Sequence, residues 1–205
     1  MLSRYISRNL SIGVFSVGSA IALSTYAPLS SAIAQSTTQP TCPGHRDIAT
    51  ATTTRVVEFP SLGTKVTIPT NFRTLLYNDG TIAILHPVDF NLIQCLTLGL
   101  PVMGTDAIRA KRFRIIPNSE GLSLEDYAAN LTMDGFTLSE TKTMKTSQGI
   151  QVVMRQATDQ SRFGLEIAYA WYQPEGVDGI VEVSTSTEAE LIDVLNQVQL
   201  LTSAS

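Results

Sequence analysis

The chain has 205 residues, 43% of them hydrophobic and 16% charged, with 14 Lys and Arg against 18 Asp and Glu and a formal net charge of −4 at pH 7. That length holds one ordinary domain plus a short appendage. The acidic balance argues against a general nucleic-acid binder, which must neutralise phosphates with Lys and Arg. The only two histidines, His45 and His86, lack the spacing of metal ligands.

Arg4 and Arg8 are the only charges before Gln35. An apolar run, IGVFSVGSAIAL, follows at Ile12 to Leu23, and Ala32-Ile33-Ala34 closes the segment. A basic start, a short apolar middle and an A-x-A exit predict a secretory signal peptide over residues 1–34. The run falls short of the ~20 residues of a spanning helix, so no membrane span is expected after cleavage. The competing reading is an uncleaved anchor that uses Leu10 to Ala27. Arg4 and Arg8 are not adjacent, which rules against a twin-arginine signal. Cys42 follows Gln39-Pro40-Thr41 rather than a small-residue box, which rules against lipid attachment.

Residues 35–55 are rich in Thr, Ser and Pro and read as a flexible polar linker, with too little apolar surface to offset chain entropy. One domain is expected over 56–205. Export to a periplasm or a thylakoid lumen would remove two arginines and leave the chain more acidic. It would also permit a disulfide between Cys42 and Cys95, which closes a long loop worth roughly 3–4 kcal/mol in the chain-entropy picture. The alternative leaves Cys95 as a buried small hydrophobe and Cys42 exposed.

Within the domain, Thr64 to Ile68 alternates polar and apolar, as a half-buried strand does. FRTLLYN and TIAILH flank Asn78-Asp79-Gly80 and predict a hairpin. FNLIQCLTL, at Phe90 to Leu98, reads as a further β-rich run. Ala107 to Ile116 reads as a strand, although its mixture of basic and apolar residues also permits a helix. Ser123 and Asp126 form a capping box ahead of a helix that buries Leu124, Tyr127, Ala128 and Leu131 and stops at Gly135. FTLSETKTM, IQVVMRQA, RFGLEIAYAWYQ and IVEVSTS read as strands. Thr187 to Leu201 reads as a closing helix, capped by Thr187 and Glu190, with an apolar stripe of Leu191, Val194, Leu195, Val198 and Leu201. The order predicts an α+β fold, an antiparallel β-sheet flanked by helices. No Gly-rich phosphate loop appears.

The layout of Val66 to Leu201 resembles the PsbP-like family. A strand ends in Ile68-Pro69 with Phe72 just after it. The middle helix SLEDYAANL precedes Gly135. TSQGIQVVMRQA sets a Gly before a strand, and an amphipathic helix closes the domain. The chain departs from better-known members in carrying Phe72 where a Trp is often found. The resemblance implies an α/β/α sandwich and an accessory role in photosystem II assembly or stability, with a protein partner in a membrane-associated complex.

Chemistry is thinly represented. His86 in LHPVD is the one reasonable base inside the domain, with Asp89 nearby, but no Ser lies in a G-x-S-x-G setting. Cys95 sits in LIQCLTL, which suggests burial rather than a reactive thiolate. The carboxylate pairs Glu125–Asp126 and Glu188–Glu190 fall at helix starts, where the helix dipole accounts for them. No catalytic residue, cofactor or metal is assigned, and the expectation is not an enzyme. Arg109, Lys111, Arg112 and Arg114 form a dense basic run. It reads either as a docking patch for an acidic partner or anionic membrane, or as an edge protected by charge. A second class of function is a small-molecule or lipid binder, or a weak hydrolase, with a pocket between sheet and helix.

Overall fold

The computed structural model describes residues 48–100, 108–161 and 164–201. The chain divides into two units, Met1–Thr37 and Thr38–Ser205, and every described residue belongs to the second. The predicted signal segment and Cys42 lie outside the described residues.

Among the described residues, eleven strands and three α-helices form antiparallel sheets with helices packed on them, an α+β fold. β1 (Thr54–Phe59) pairs with β2 (Thr64–Pro69) across a 3-10 turn at Pro60–Leu62. The far edge of β2 pairs with β11 (Val198–Leu200), which completes a three-stranded sheet in the order β1-β2-β11. The larger sheet runs β3-β4-β5-β10-β9-β8-β6, with β7 also on β8. Its strands are β3 (Arg73–Leu76), β4 (Ile82–Leu85), β5 (Ala110–Ile116), β6 (Phe136–Leu138), β7 (Lys142–Lys145), β8 (Gln151–Asp159), β9 (Glu166–Tyr172) and β10 (Ile180–Thr185).

Strand alternation gives this sheet two different faces. One carries Ile82, Ile84, Phe113, Val181, Val183, Ala170, Tyr172, Val152 and Met154 into the main core. The small sheet adds Phe59, Val66, Ile68 and Val198 to that core, and α3 (Glu188–Gln197) adds Leu191, Val194 and Leu195. The other face holds a smaller core of Val153, Trp171 and Ile180 beneath Ala128 of α2 (Leu124–Asn130), with Leu124, Tyr127 and Leu131 packed around it. The predicted helix caps form: the Asp126 amide donates to Ser123 Oγ at 3.0 Å, and the Glu190 amide donates to Thr187 Oγ1 at 3.2 Å.

Three expectations fail. Phe90 to Leu98 is not a strand but lies on α1 (Pro87–Thr97) and its C-cap. Pro87 takes the first helical position, where its missing N–H costs nothing, and Asp89 sits in the first turn, where it meets the positive end of the dipole. Leu92 and Cys95, three apart, are the buried positions. The closing helix ends at Gln197 rather than Leu201, and Val198 leaves it to enter the small sheet. Residue β-propensity is not what decides this: the free edge of β2 offers Val198 and Leu200 a ladder that helix continuation would forfeit. The middle helix stops at Asn130, before Gly135. Tertiary contacts also begin ahead of Val56, because the Asn71 side chain donates to Ala49 O at 2.8 Å and accepts from the Ala51 amide at 3.1 Å.

Candidate functional site

The basic run falls on β5 and the residues before it, and the sheet divides it. β5 is an interior strand between β4 and β10, so it is not a charge-protected edge. Alternation sends Lys111 to the main-core face, beside Phe113, where its Nζ lies 5.3 Å from the centre of the Phe72 ring. Arg112 and Arg114 face the opposite way. Arg109 precedes the strand and is exposed, and its backbone amide approaches Asp89 Oδ1 at 3.5 Å. Only Arg112 and Arg114 therefore share a surface.

That surface is a groove of about 370 Å³, lined by Arg112, Arg114, Glu182, Ser184 and Tyr169 and by Tyr77, Asp79 and Thr81 of the β3–β4 turn. Register explains the floor. Glu182 lies opposite Arg114 on β5 and opposite Trp171 on β9, while Ser184 lies opposite Arg112 and Tyr169. α2 covers the Trp171 end of this face, and the turn forms the rim at the other.

Glu182 is the organising residue. It is 4% exposed, and such a carboxylate needs partners. Arg114 Nε donates to its Oε1 at 2.7 Å, and Trp171 Nε1 donates to its Oε2 at 3.0 Å. Trp171 is held in turn by Tyr169, parallel at 6.0 Å between centroids, and by Tyr127, edge-on at 5.9 Å. Burial costs the Arg114 cation, but the hydrogen bond and charge of Glu182 outweigh that cost and raise its pKa. Burial and the Glu182 charge together push the Tyr127 and Tyr169 phenols above their ordinary value. Asp79 is held below the usual carboxylate range by the Thr81 amide, which donates to it at 2.9 Å. Arg112 is exposed and, among the described residues, its side chain enters no ion pair or hydrogen bond.

The other candidates are occupied by structural work. His86 is the N-cap of α1, its Nδ1 accepting from the Val88 amide at 3.3 Å, and its ring stands edge-on to Phe72 at 5.3 Å. Asp89 belongs to the same helix start. Cys95 is buried and is not a free thiol. Glu125 and Asp126 lie in the first turn of α2, and Glu188 and Glu190 in that of α3. Among the described residues no group of three His, Cys, Asp or Glu could hold a metal, and no helix is long and apolar enough to cross a membrane. A second cavity of about 450 Å³ lies between α3 and the sheets, with Val66, Ile68, Phe72, Ile84 and Val194 in its walls and Lys111 and Asp193 among its polar groups. His86 does not line it.

The sequence reading missed Glu182, Tyr169 and Trp171 as one unit. The signal was available: a carboxylate inside IVEVSTS and a Trp inside a long apolar strand both need polar partners once buried. What the sequence withheld was the β5–β10 register that puts them together. Neither a scan of protein-family models nor a search of curated proteins returned a match.

Proposed function

We propose that the protein is an exported, non-catalytic binding protein that docks an acidic protein partner. The observation that carries this reading is the groove, where an unpaired Arg112 stands beside an Arg114 fixed by a buried carboxylate. The use of His86 and Asp89 in a helix start, rather than in a nucleophile–base pair, supports the non-catalytic part. The resemblance to the PsbP-like family directs the reading towards accessory work in photosystem II assembly or stability, in a thylakoid lumen or a periplasm.

The test is affinity recovery of the tagged mature protein from its native membranes, followed by mass spectrometry. Reproducible photosystem subunits are the expected result. A partnerless protein overturns the docking reading and transfers the weight to a second one, a periplasmic binder of a small molecule or lipid. That alternative draws support from the apolar cavity between α3 and the sheets, whose volume is in the range of small-ligand pockets.

A further inference from the structure

We infer that the groove over β5, β9 and β10 is a receptor for a single carboxylate presented by a polypeptide segment, with Arg112 as its primary contact and Arg114 as a pre-set second arm. This inference rests on the docking reading and adds the chemistry of what docks.

Three features select the ligand. The first is charge. Arg114 is paired with Glu182, whereas the Arg112 side chain has no ion-pair partner among the described residues; Asp79 at the rim brings the lining to two cations and two anions. The unpaired Arg112 offers a planar fork of donors that one carboxylate can accept in a bidentate way. The second is orientation. Glu182 takes Arg114 through Nε at 2.7 Å and is itself held by Trp171 Nε1 at 3.0 Å, which fixes the plane of the guanidinium and leaves its terminal N–H groups for another acceptor. Holding a planar donor in place before binding removes part of the ordering cost. Arg112 is two residues along the same strand on the same face, so the two forks lie within reach of one carboxylate. Tyr169, Ser184, Thr81 and Tyr77 add hydroxyl groups around them.

The third feature is openness. Among the described residues no element covers this part of the sheet, and the exposed Arg112 lies on the groove floor with the exposed Tyr77 at its rim. A free small ligand usually loses about 70–90% of its surface in its pocket. An acidic side chain need bury only its tip here, because the chain that carries it contributes the remaining contacts outside. The occupant is therefore an Asp or Glu side chain of a partner protein.

The sole tryptophan of the chain, Trp171, lies beside the site on the same face and hydrogen-bonds to Glu182, so intrinsic fluorescence reports binding through that bond. The mature protein would be titrated with a terminally blocked pentapeptide containing one Glu, with its Gln counterpart, with acetate and with inorganic phosphate. A saturable response to the Glu peptide, absent for the Gln peptide, is expected. Arg112→Ala should weaken it about tenfold or more, as loss of a charge-assisted hydrogen bond does. Arg112→Lys should recover only part of the loss, because it restores charge without the fork. Lys111→Ala, on the opposite face, and Arg109→Ala should leave binding unchanged. Tighter binding of phosphate overturns the carboxylate, and acetate binding as tightly as the peptide overturns the polypeptide source. No response to the Glu peptide, or equal loss with Lys111→Ala, overturns the site. If membrane capture of a partner nevertheless succeeds and survives Arg112→Ala, docking stands and this groove does not serve it.

Discussion

Arg114→Ala probes the half-buried ion pair in the floor of the groove. Glu182 is 4% exposed, so its carboxylate depends on Arg114 and Trp171 for the solvation it has lost. Removing one partner of a fully buried pair costs about 3–5 kcal/mol, whereas an exposed pair is worth about 0–1 kcal/mol. The present pair lies between these limits, because the Arg114 side chain is 51% exposed and that of Glu182 only 5%. Water entering from the groove replaces part of what Arg114 supplied, and Trp171 Nε1 remains. A loss of about 1–3 kcal/mol follows. Urea unfolding followed by Trp171 fluorescence measures it, provided that the slope against denaturant is unchanged. Glu182→Gln, made alone and together with Arg114→Ala, completes a double-mutant cycle. A neutral amide at this position needs no cation, so the double variant should be more stable than Arg114→Ala alone, with a coupling energy of about 1–2 kcal/mol. A loss below about 0.5 kcal/mol, or a cycle that closes to zero, would refute the claim that Glu182 depends on this partner.

Further outcomes follow from other sites. Gly179 has φ +131° and a hypothetical Cβ 2.6 Å from the Ile116 carbonyl oxygen, so Gly179→Ala should cost about 2–4 kcal/mol, read from the same urea curves. Arg155 donates to Ala128 O at 2.6 Å and to Ser139 O at 2.8 Å, fastening the end of α2 to β8. Arg155→Met should cost about 1–3 kcal/mol and raise amide exchange in α2 ahead of the sheet. The phenols of Tyr127, Tyr169 and Tyr172 are all raised above 10.0, chiefly by burial. The folded state then holds these protons more tightly than the unfolded one, so their contribution is complete below pH 10.0 and is lost as pH rises above it. Thermal midpoints should fall above that pH, and the double variant Tyr127→Phe, Tyr169→Phe should lessen the fall.

Elements whose signals are local were legible in the sequence. Ser123 and Thr187 mark helix starts because a cap acts within three residues, and Asn78-Asp79-Gly80 marks a hairpin because a turn acts within four. α1 shows the reverse. Its apolar content resembles a strand, and the residues that declare it a helix, His86, Pro87 and Asp89, lie ahead of that run, where His86 and Asp89 also read as a candidate base and its partner. β11 was hidden for a different reason: Val198 continues the helical stripe in sequence, and only the distant β2 edge draws it away. The candidate site was half visible. Arg112 and Arg114 stand out as charges, but alternation removes Lys111 from their company, and Glu182 joins them only through pairing across 68 positions of sequence.

The small sheet has a consequence for the order in which the molecule can be built. β2 is flanked by β1, its sequence neighbour, and by β11, from the other end of the domain. Leu201 adds a bond from its amide to Gly63 O at 2.8 Å. A chain that emerges amino end first can form the β1–β2 hairpin early, yet β2 keeps an open edge until Val198 to Leu200 have appeared. Val198, buried in the main core, arrives with that final strand. Val198 to Leu201 thus act as a latch, and a chain truncated before Val198 would expose both a strand edge and the flank of its core.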